Sequence, residues 1–422
     1  MIISSRIQKA GLTLYIAVLT FCMYSSVYAF RKPFTVGSFG EKEMLGISYQ
    51  TLLIISQVIG YMISKFAGIR FISSLRRTGR WKTTVTIMSG AWFSLFLFAI
   101  LPDWAGILCF LVNGFLLGFM WGIVFSYAEG RTSTDFIGSV MAISFIFAGG
   151  FTRSVGKWLI TEHHISSKWM PFMTGMLFAI PLILFIYLLE RIPAPDEKDI
   201  KNRAERKSMN ASDRRKIVRE FTGGIIVLCI VYTVLTITRD LRDNFMGNIW
   251  NELGYANDYA VFAKSETSIS AWLLLIMGLL VLIRKNINAF RIIHFVIMAG
   301  FLLAGVSSAL FFTGYLNGSW WMQTVGLGLY MAYIPFNAIF FERMIATFRI
   351  AGNVGFLIYI TDAFGYLGSV SIMLIKEGMT LQVSWVDFYS KGVIIFAMIG
   401  VVGTAYSLYY FNNKYRNQSY YV

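Results

Sequence analysis

Residues 10–35 read AGLTLYIAVLTFCMYSSVYAFRKPFT, an apolar run that ends with two adjacent cations, Arg31 and Lys32. The run exceeds the roughly 20 residues that a helix needs to cross a bilayer. A charged side chain at the bilayer centre costs roughly 2.5 to 3.5 kcal/mol even on insertion scales, so both cations are expected to face a protein interior or a watery cavity. An anion is the obvious ligand for such a cavity.

The rest of the chain repeats this apolar pattern. Hydrophobic residues make up 56% of the sequence and charged residues 14%, against about 25% charged in soluble domains, so an ordinary soluble protein is excluded. We predict an all-α membrane protein with twelve transmembrane helices in two pseudosymmetric six-helix bundles. The predicted spans are 10–35, 47–68, 83–101, 105–128, 138–160, 169–189, 222–246, 268–283, 292–312, 320–341, 352–375 and 389–411.

One segment interrupts the apolar pattern. Residues 191–220 hold ten basic and six acidic side chains and almost no large apolar ones, the composition of a solvated linker. The linker divides the chain into an N-terminal six-helix bundle, 1–190, and a C-terminal one, 221–422. Predicted loops on one face collect 25 of the 37 Lys and Arg residues and those on the other face collect 6. The positive-inside rule therefore places the linker and both termini in the cytoplasm.

The two halves carry a short internal repeat. Tyr24 precedes Arg31 by seven residues in the first span, and Tyr232 precedes Arg239 by seven in the seventh. Such internal symmetry is typical of secondary transporters, which place a binding site between two bundles and expose it to each side in turn.

Four of the predicted spans lack charged residues in their interior. The third, sixth, ninth and twelfth spans carry no ionisable residue away from their ends, so we predict that these four face lipid. The other spans hold the charged set, whose members are candidate functional residues by default because of their cost in a bilayer. This set comprises Arg31, Lys32, Lys65, Arg153, Arg239, Asp240, Arg242, Asp243 and Asp362, with Glu129 near a cytoplasmic helix end.

Three stretches of the sequence resemble one transporter family. They are Tyr24-Ser-Ser-Val-Tyr28-Ala-Phe-Arg31-Lys32, Ser64-Lys65-Phe66, and the pattern Gly114, Gly118 and Trp121. On these residues the chain resembles the organophosphate:phosphate antiporters of the major facilitator superfamily, and as a whole it also resembles a poorly characterised bacterial branch of that superfamily. The resemblance implies a multi-pass protein of the bacterial inner (cell) membrane, in which Arg31 and Arg239 form a pair, one from each half, that holds a phosphate group.

The sequence departs from that family after the second arginine. Arg239 is followed by Asp240, Leu241, Arg242 and Asp243, where the family has an aromatic residue and a glycine. The two extra carboxylates either neutralise Arg239 or couple a proton.

The side-chain chemistry indicates an anion site without reference to any family. Tyr24, Tyr28 and Arg31 stand at positions i, i+4 and i+7, which share one face of a helix. A guanidinium group binds phosphate or carboxylate oxygens bidentately, whereas an ammonium group acts as a point charge. Arg31 with Lys32 and Lys65 thus makes a predicted anion clamp. The alternative is that Arg31 pairs with one aspartate and only locks the halves together, the candidates being Asp240, Asp243 and Asp362.

Two sets of site residues follow. The predicted substrate-binding residues are Arg31, Lys32, Lys65, Arg239, Tyr24 and Tyr28. The predicted coupling or gating residues are Asp240, Arg242, Asp243, Asp362, Arg153 and Glu129.

The predicted function is secondary active transport of a small organic anion by alternating access, with a phosphorylated solute exchanged for phosphate as first choice. Alternatives are a proton-coupled symporter of a carboxylate or sugar-like solute, a non-transporting sensor, and a membrane-embedded transferase. The sequence has no phosphate-loop motif, and its three His and three Cys residues are scattered. We predict no enzymatic activity, no cofactor and no metal. The expected partners are the anion and membrane lipid, not nucleic acid, and the chain is expected to work as a monomer.

Overall fold

The computed structural model is almost entirely helical over the residues that it describes: 2–39, 42–44, 46–74, 80–128, 131, 133–194, 211–283, 285–348, 354–378 and 383–419. In the N-terminal half the helices are α1 Ile2–Tyr28, α2 Tyr49–Ser74, α3 Arg80–Ile100, α4 Asp103–Gly118, α5 Met120–Ala128, α6 Thr134–Thr161 and α7 Met170–Glu190. In the C-terminal half they are α8 Ala211–Glu220, α9 Thr222–Asn244, α10 Met246–Trp250, α11 Val261–Val281, α12 Asn286–Phe312, α13 Gly318–Pro335, α14 Phe341–Phe348, α15 Val354–Gly378 and α16 Trp385–Ser419.

Short irregular elements complete the chain. A 3-10 turn, Pro33–Val36, follows α1, and a hairpin of β1 Glu43–Met44 and β2 Ile47–Ser48 precedes α2. The hairpin turns at Gly46, whose positive φ of 72° suits a residue without a Cβ atom. A five-residue π-helical segment, Phe336–Phe340, joins α13 to α14, and another follows α10 at Asn251–Tyr255.

Among the described residues, ten helical spans are long and apolar enough to cross a membrane. One of them runs through α4 and α5, and another runs from α13 through the π segment into α14. With α2 and α15, which have 26 and 25 residues, the spans number twelve. The predicted all-α membrane protein with two six-helix halves is confirmed.

The helices assemble into two compact units. Unit one holds Met1–Arg203, Asn244–Ser270 and Met373–Leu381, and unit two holds Ala204–Asp243, Ala271–Ile372 and Gln382–Val422. Two segments of the C-terminal half of the sequence thus belong to unit one. The division at 191–220 stays a prediction, and within it α8 is helical from Ala211 to Glu220.

In unit one, α2 and α4 approach so closely that only glycine fits between them. A Cβ atom on Gly114 would lie 2.1 Å from the carbonyl oxygen of Gln57, and one on Gly60 would lie 2.1 Å from that of Leu111. Small residues allow such close packing of helices in membranes. The contact fixes the rotation of α2 and therefore the direction of its polar side chains.

In unit two, α12 packs against α13 and α16. Burial varies widely among the ten described spans. In α7, α12 and α16 only 28%, 33% and 28% of the apolar window is buried, against 67% in α6 and α9. These three are the sixth, ninth and twelfth spans, which are among the four predicted to face lipid. The fourth, α3, is 44% buried, and the prediction is not supported for it in the same way.

The first span is shorter than predicted. Its helix ends at Tyr28, and the backbone N–H groups of Arg31 and Lys32 both donate to the Tyr28 carbonyl at 3.0 Å in a tight turn. Pro33 follows at once, and because a proline has no backbone N–H it cannot donate the hydrogen bond that would continue the helix from Ala29. The prediction that both cations lie within a continuous helix over 10–35 is therefore wrong.

Candidate functional site

A cluster of tyrosines and cations surrounds Arg31 in unit one; we call Tyr24, Tyr28, Arg31, Tyr61 and Lys65 the Arg31 cluster. The Arg31 guanidinium carbon lies 4.2 Å from the centroid of the Tyr61 ring, and Arg31 Nη1 donates to Tyr28 Oη at 3.4 Å. Lys65 Nζ lies 4.8 Å from the centroid of the same Tyr61 ring. The Tyr24 and Tyr28 rings meet edge to face at 5.4 Å. The structure thus brings together five residues from the first two spans.

Two amides hold the turn that presents Arg31. Gln57 Nε2 donates to the Arg31 carbonyl at 3.2 Å and to Asn113 Oδ1 at 2.9 Å, and Asn113 Nδ2 donates to the Phe30 carbonyl at 3.2 Å. Carbonyls beyond a helix end need such partners because they have none within the helix. Asn113 is not among the predicted site residues, although an amide in the middle of an apolar span is a signal that could have identified it.

The Arg31 cluster concentrates positive charge. Because Arg31 and Lys65 share the Tyr61 ring, their charged groups are at most about 9 Å apart. Two like charges at that distance repel by about 2 kcal/mol at an effective dielectric constant near 20. Both side chains are only partly buried, so an anion could reach them and be attracted by both.

Lys32 points to a different set of partners. Its Nζ donates to Asn244 Oδ1 at 2.9 Å and is buried. Its carbonyl accepts from Thr35 Oγ1 at 2.9 Å, and Thr35 Oγ1 in turn accepts from Nε of the fully buried Arg153, also at 2.9 Å. The structure therefore groups Lys32 with Arg153 around Thr35. A substrate-binding role for Lys32 and a gating role for Arg153 stay predictions.

One buried carboxylate, Glu266, is not among the residues predicted from the sequence. Glu266 is 1% exposed within α11 and lies against Gly150 of α6, where an added Cβ atom would be 2.5 Å from the Glu266 Cβ atom. Nearby, the backbone N–H of Ala263 donates to Ser154 Oγ at 2.9 Å. The predicted span began at residue 268 because the polar run before it lowers the local hydropathy, and Glu266 therefore fell outside it.

A second polar cluster lies in unit two; we call Tyr232, Tyr333, Asn337 and Asp362 the Asp362 cluster. Tyr232 Oη donates to Asp362 Oδ1 at 2.5 Å and accepts from Asn337 Nδ2 at 3.0 Å. The Tyr333 hydroxyl lies 3.5 Å from that of Tyr232. Three spans, the seventh, tenth and eleventh, thus meet in one network of hydroxyl, amide and carboxylate groups.

Arg239 lies beside the Asp362 cluster. Its guanidinium carbon is 4.1 Å from the Tyr333 ring centroid, and its Nη2 lies 2.6 Å from Asp240 Oδ1. Asp240 therefore pairs with Arg239, which is one of the two roles considered for the extra carboxylates. The fully buried Arg242 donates from Nη2 to the Met322 carbonyl at 3.1 Å, and Asp243 lies half-buried on the same helix.

The repeated tyrosine–arginine spacing does not produce the same local structure twice. Arg31 stands in a turn after α1, whereas Arg239 stands within α9. The two arginines belong to different units, and the predicted approach of one to the other stays a prediction. Glu129 lies outside the described residues. Within the described part of the chain, no group of three or more His, Cys, Asp or Glu side chains could hold a metal ion.

Comparison with solved structures identifies the fold. The chain is similar to the nucleoside transporter NupG, in a mutant form, at 17% identity and a TM-score of 0.61, with 94% of this chain and 99% of that chain covered. It is similar to a D-xylose-proton symporter at 12% identity and a TM-score of 0.62, covering 94% and 96%. It is also similar to a bacterial homolog of the human lysosomal transporter Spinster, in an inward-facing and unoccupied conformation. The identity is 11% and the TM-score 0.58, and the match covers 94% of this chain and 96% of that chain.

Such low identities show the fold alone, which this chain shares with these three transporters. No curated protein matches the sequence. A family model described as a family of unknown function, DUF5690, matches residues 33–414. That match spans nine-tenths of the sequence, from the turn after α1 to the last helix, and the chain therefore belongs to the DUF5690 family.

Proposed function

We propose that this protein is a secondary active transporter that carries a small organic anion by alternating access. The observation that carries the proposal is the Arg31 cluster, in which the Arg31 guanidinium and the Lys65 ammonium both lie against the ring of Tyr61. Charges in a bilayer-spanning region are retained mainly for function. We further propose that the protein works as a monomer in a bacterial cell membrane with both termini in the cytoplasm.

A phosphorylated solute exchanged for phosphate is the substrate class that we favour. A guanidinium group offers a planar fork of N–H donors that fits a phosphate bidentately, and the Lys65 ammonium adds a second cation. The Tyr28 hydroxyl, 3.4 Å from Arg31 Nη1, adds a neutral hydrogen-bonding group. Carboxylates satisfy the same donors, so the experiment must compare the two anion classes.

A ligand screen followed by flux measurement tests this proposal. Purified protein is heated with phosphate esters, inorganic phosphate, carboxylates or neutral sugars, and the compounds that raise the unfolding temperature are then assayed for uptake into proteoliposomes. We expect phosphate esters to stabilise the protein and to be taken up when phosphate is inside. Stabilisation without any flux would instead indicate the non-transporting sensor.

Proton-coupled symport of a sugar-like or carboxylate solute is the second candidate. It is favoured by the Asp362 cluster, whose carboxylate, amide and hydroxyl groups suit solute hydroxyls and offer a group that can change protonation. Two of the proteins with a similar fold, by their names, carry nucleosides and, with protons, xylose. Those names describe the other proteins. For this chain, the second candidate is supported by the Asp362 cluster.

Replacing single carboxylates separates the two candidates. We expect Asp362→Asn to lower the uptake rate roughly tenfold or more, because a hydrogen bond to a charged group contributes about 1.5 to 3 kcal/mol.

Uptake by Asp240→Asn, Asp243→Asn and Asp362→Asn is measured with and without an imposed pH gradient. Under anion exchange, counter-substrate inside the vesicle drives uptake in every variant. If all three keep the gradient dependence of the unmodified protein, the proton-coupled candidate is refuted.

A further inference from the structure

The second transmembrane helix begins against a carboxylate from far along the sequence. Glu377, next to the end of α15, accepts three hydrogen bonds at the start of α2. Its Oε2 accepts from the Ser48 backbone N–H at 3.1 Å, and its Oε1 accepts from Ser48 Oγ at 3.0 Å and from Thr51 Oγ1 at 2.6 Å. All three residues belong to unit one. The contact joins the second span to the eleventh across more than 320 residues of sequence.

Helix electrostatics make this position favourable for a carboxylate. The first N–H groups of a helix carry partial positive charge and lack partners within the helix. Ser48 stands directly before α2, and Glu377 supplies the negative charge that this end attracts. On its own helix, by contrast, Glu377 stands at the C-terminal end, where a carboxylate is unfavourable. The contact with α2 therefore offsets the unfavourable interaction of the Glu377 carboxylate with the C-terminal end of its own helix, and it adds three hydrogen bonds.

Neighbouring contacts connect the same regions of the chain. Asn248 Nδ2 donates to Gln50 Oε1 at 3.4 Å, and Lys32 Nζ donates to Asn244 Oδ1 at 2.9 Å. In each case a residue from the start of the chain meets one from the C-terminal half. The Lys32 contact is buried, whereas Glu377 is only half-buried. Water can therefore reach the Glu377 contact when the end of α15 moves away from the start of α2.

We propose that Glu377 is a latch: it holds the end of α15 against the start of α2 and so keeps the transporter closed where these two helix ends meet. The proposal rests on the proposed transport function, since alternating access requires contacts between the two halves of the sequence to break and re-form in each cycle. One carboxylate that accepts three hydrogen bonds can release all of them through a small movement of the end of α15. Glu377 is a positioning residue, because it acts on the conformation and not on the solute.

A labelling experiment measures the latch without any solute. Cys22, Cys109 and Cys229 are replaced by serine, and Ile55→Cys introduces a single thiol one turn beyond Thr51 on the same face of α2. Ile55 is 8% exposed, so its labelling by a water-soluble maleimide in nanodiscs should be slow. We expect Glu377→Gln to speed labelling roughly tenfold or more, since the charge-assisted hydrogen bonds are lost. Thr51→Val, which removes one donor, should give a smaller increase.

Two comparisons make the result specific. In a double-mutant cycle, Thr51→Val should add little once Glu377→Gln is present, because residues that share one interaction are not additive. Asp387→Asn is the matched control, since Asp387 pairs within its own helix with Lys391 at 3.2 Å and its loss should leave labelling unchanged. Elution of each variant as a single folded species is checked first.

The outcomes separate the latch from the transport function. Equal labelling rates in the unmodified protein, Glu377→Gln and Thr51→Val would overturn the latch, whatever the flux assays show. Full additivity of the two changes would also overturn it. Faster labelling in the variants together with no flux of any tested solute would support the latch as a conformational contact and reject the transport proposal.

Discussion

Replacement of Arg31 by lysine is expected to lower the kcat/KM of uptake roughly 10- to 100-fold, the range that corresponds to about 1.5 to 3 kcal/mol for hydrogen bonds to a charged group. Lysine keeps the charge but loses the planar fork that holds a phosphate or carboxylate bidentately. Its ammonium also lacks the flat face with which the guanidinium lies over Tyr61 at 4.2 Å. Uptake of the solute identified by the ligand screen, measured at several concentrations in proteoliposomes, provides the values.

The chain offers a matched control for this substitution. Arg191 also lies over a tyrosine, with its guanidinium carbon 4.3 Å from the Tyr187 ring centroid, but it is exposed at the end of α7. Arg191→Lys should leave uptake within about twofold of the unmodified protein, as expected for a surface change worth under 0.5 kcal/mol. Near-normal uptake by Arg31→Lys would remove Arg31 from the binding site.

Alanine at Gly114 is expected to destabilise unit one severely. The added Cβ atom would lie 2.1 Å from the backbone carbonyl oxygen of Gln57, so two helix backbones must move apart. Overpacking of a core typically costs about 1 to 3 kcal/mol, and here a rigid backbone rather than a side chain must yield. We expect a much lower yield of folded protein and a lower unfolding temperature in detergent.

Two other helical glycines provide the control. A Cβ atom on Gly278 of α11 or Gly392 of α16 would meet no other atom within 4 Å. Because alanine favours helix by about 1 kcal/mol over glycine, Gly278→Ala and Gly392→Ala should fold as well as the unmodified protein or better. A Gly114→Ala variant that unfolds at the unmodified protein's temperature would show that α2 and α4 do not touch at this point.

The twelve spans could be predicted from sequence because apolar length is a local property. The end of the first helix at Tyr28 could not be placed by the same reasoning, because Ala29, Phe30 and Phe34 keep the segment apolar beyond it. Glu266 was missed for the opposite reason: polar neighbours obscured a helical segment whose burial depends on a tertiary contact with Gly150.

The polar site was predictable only in part. A charge inside a span indicates that some polar surroundings exist, but its partner depends on how distant helices pack. Lys32 and Arg31 are adjacent in sequence, yet one bonds to Asn244 and the other lies over Tyr61. Glu377 illustrates the same limit, since nothing in its local sequence indicates that it would cap α2.

The π-helical segment Phe336–Phe340 has a consequence for how relatives of this protein should be compared. A π turn holds one residue more than an α turn, so it accommodates a single-residue insertion without breaking the helix. The extra residue is taken up within the turn, so the helix beyond it keeps its orientation, whereas the side chains inside the turn change direction. In alignments of the family we expect a one-residue gap near Asn337. Members on either side of that gap would present different side chains to Tyr232, so the length of this turn would mark subgroups that differ in the Asp362 cluster.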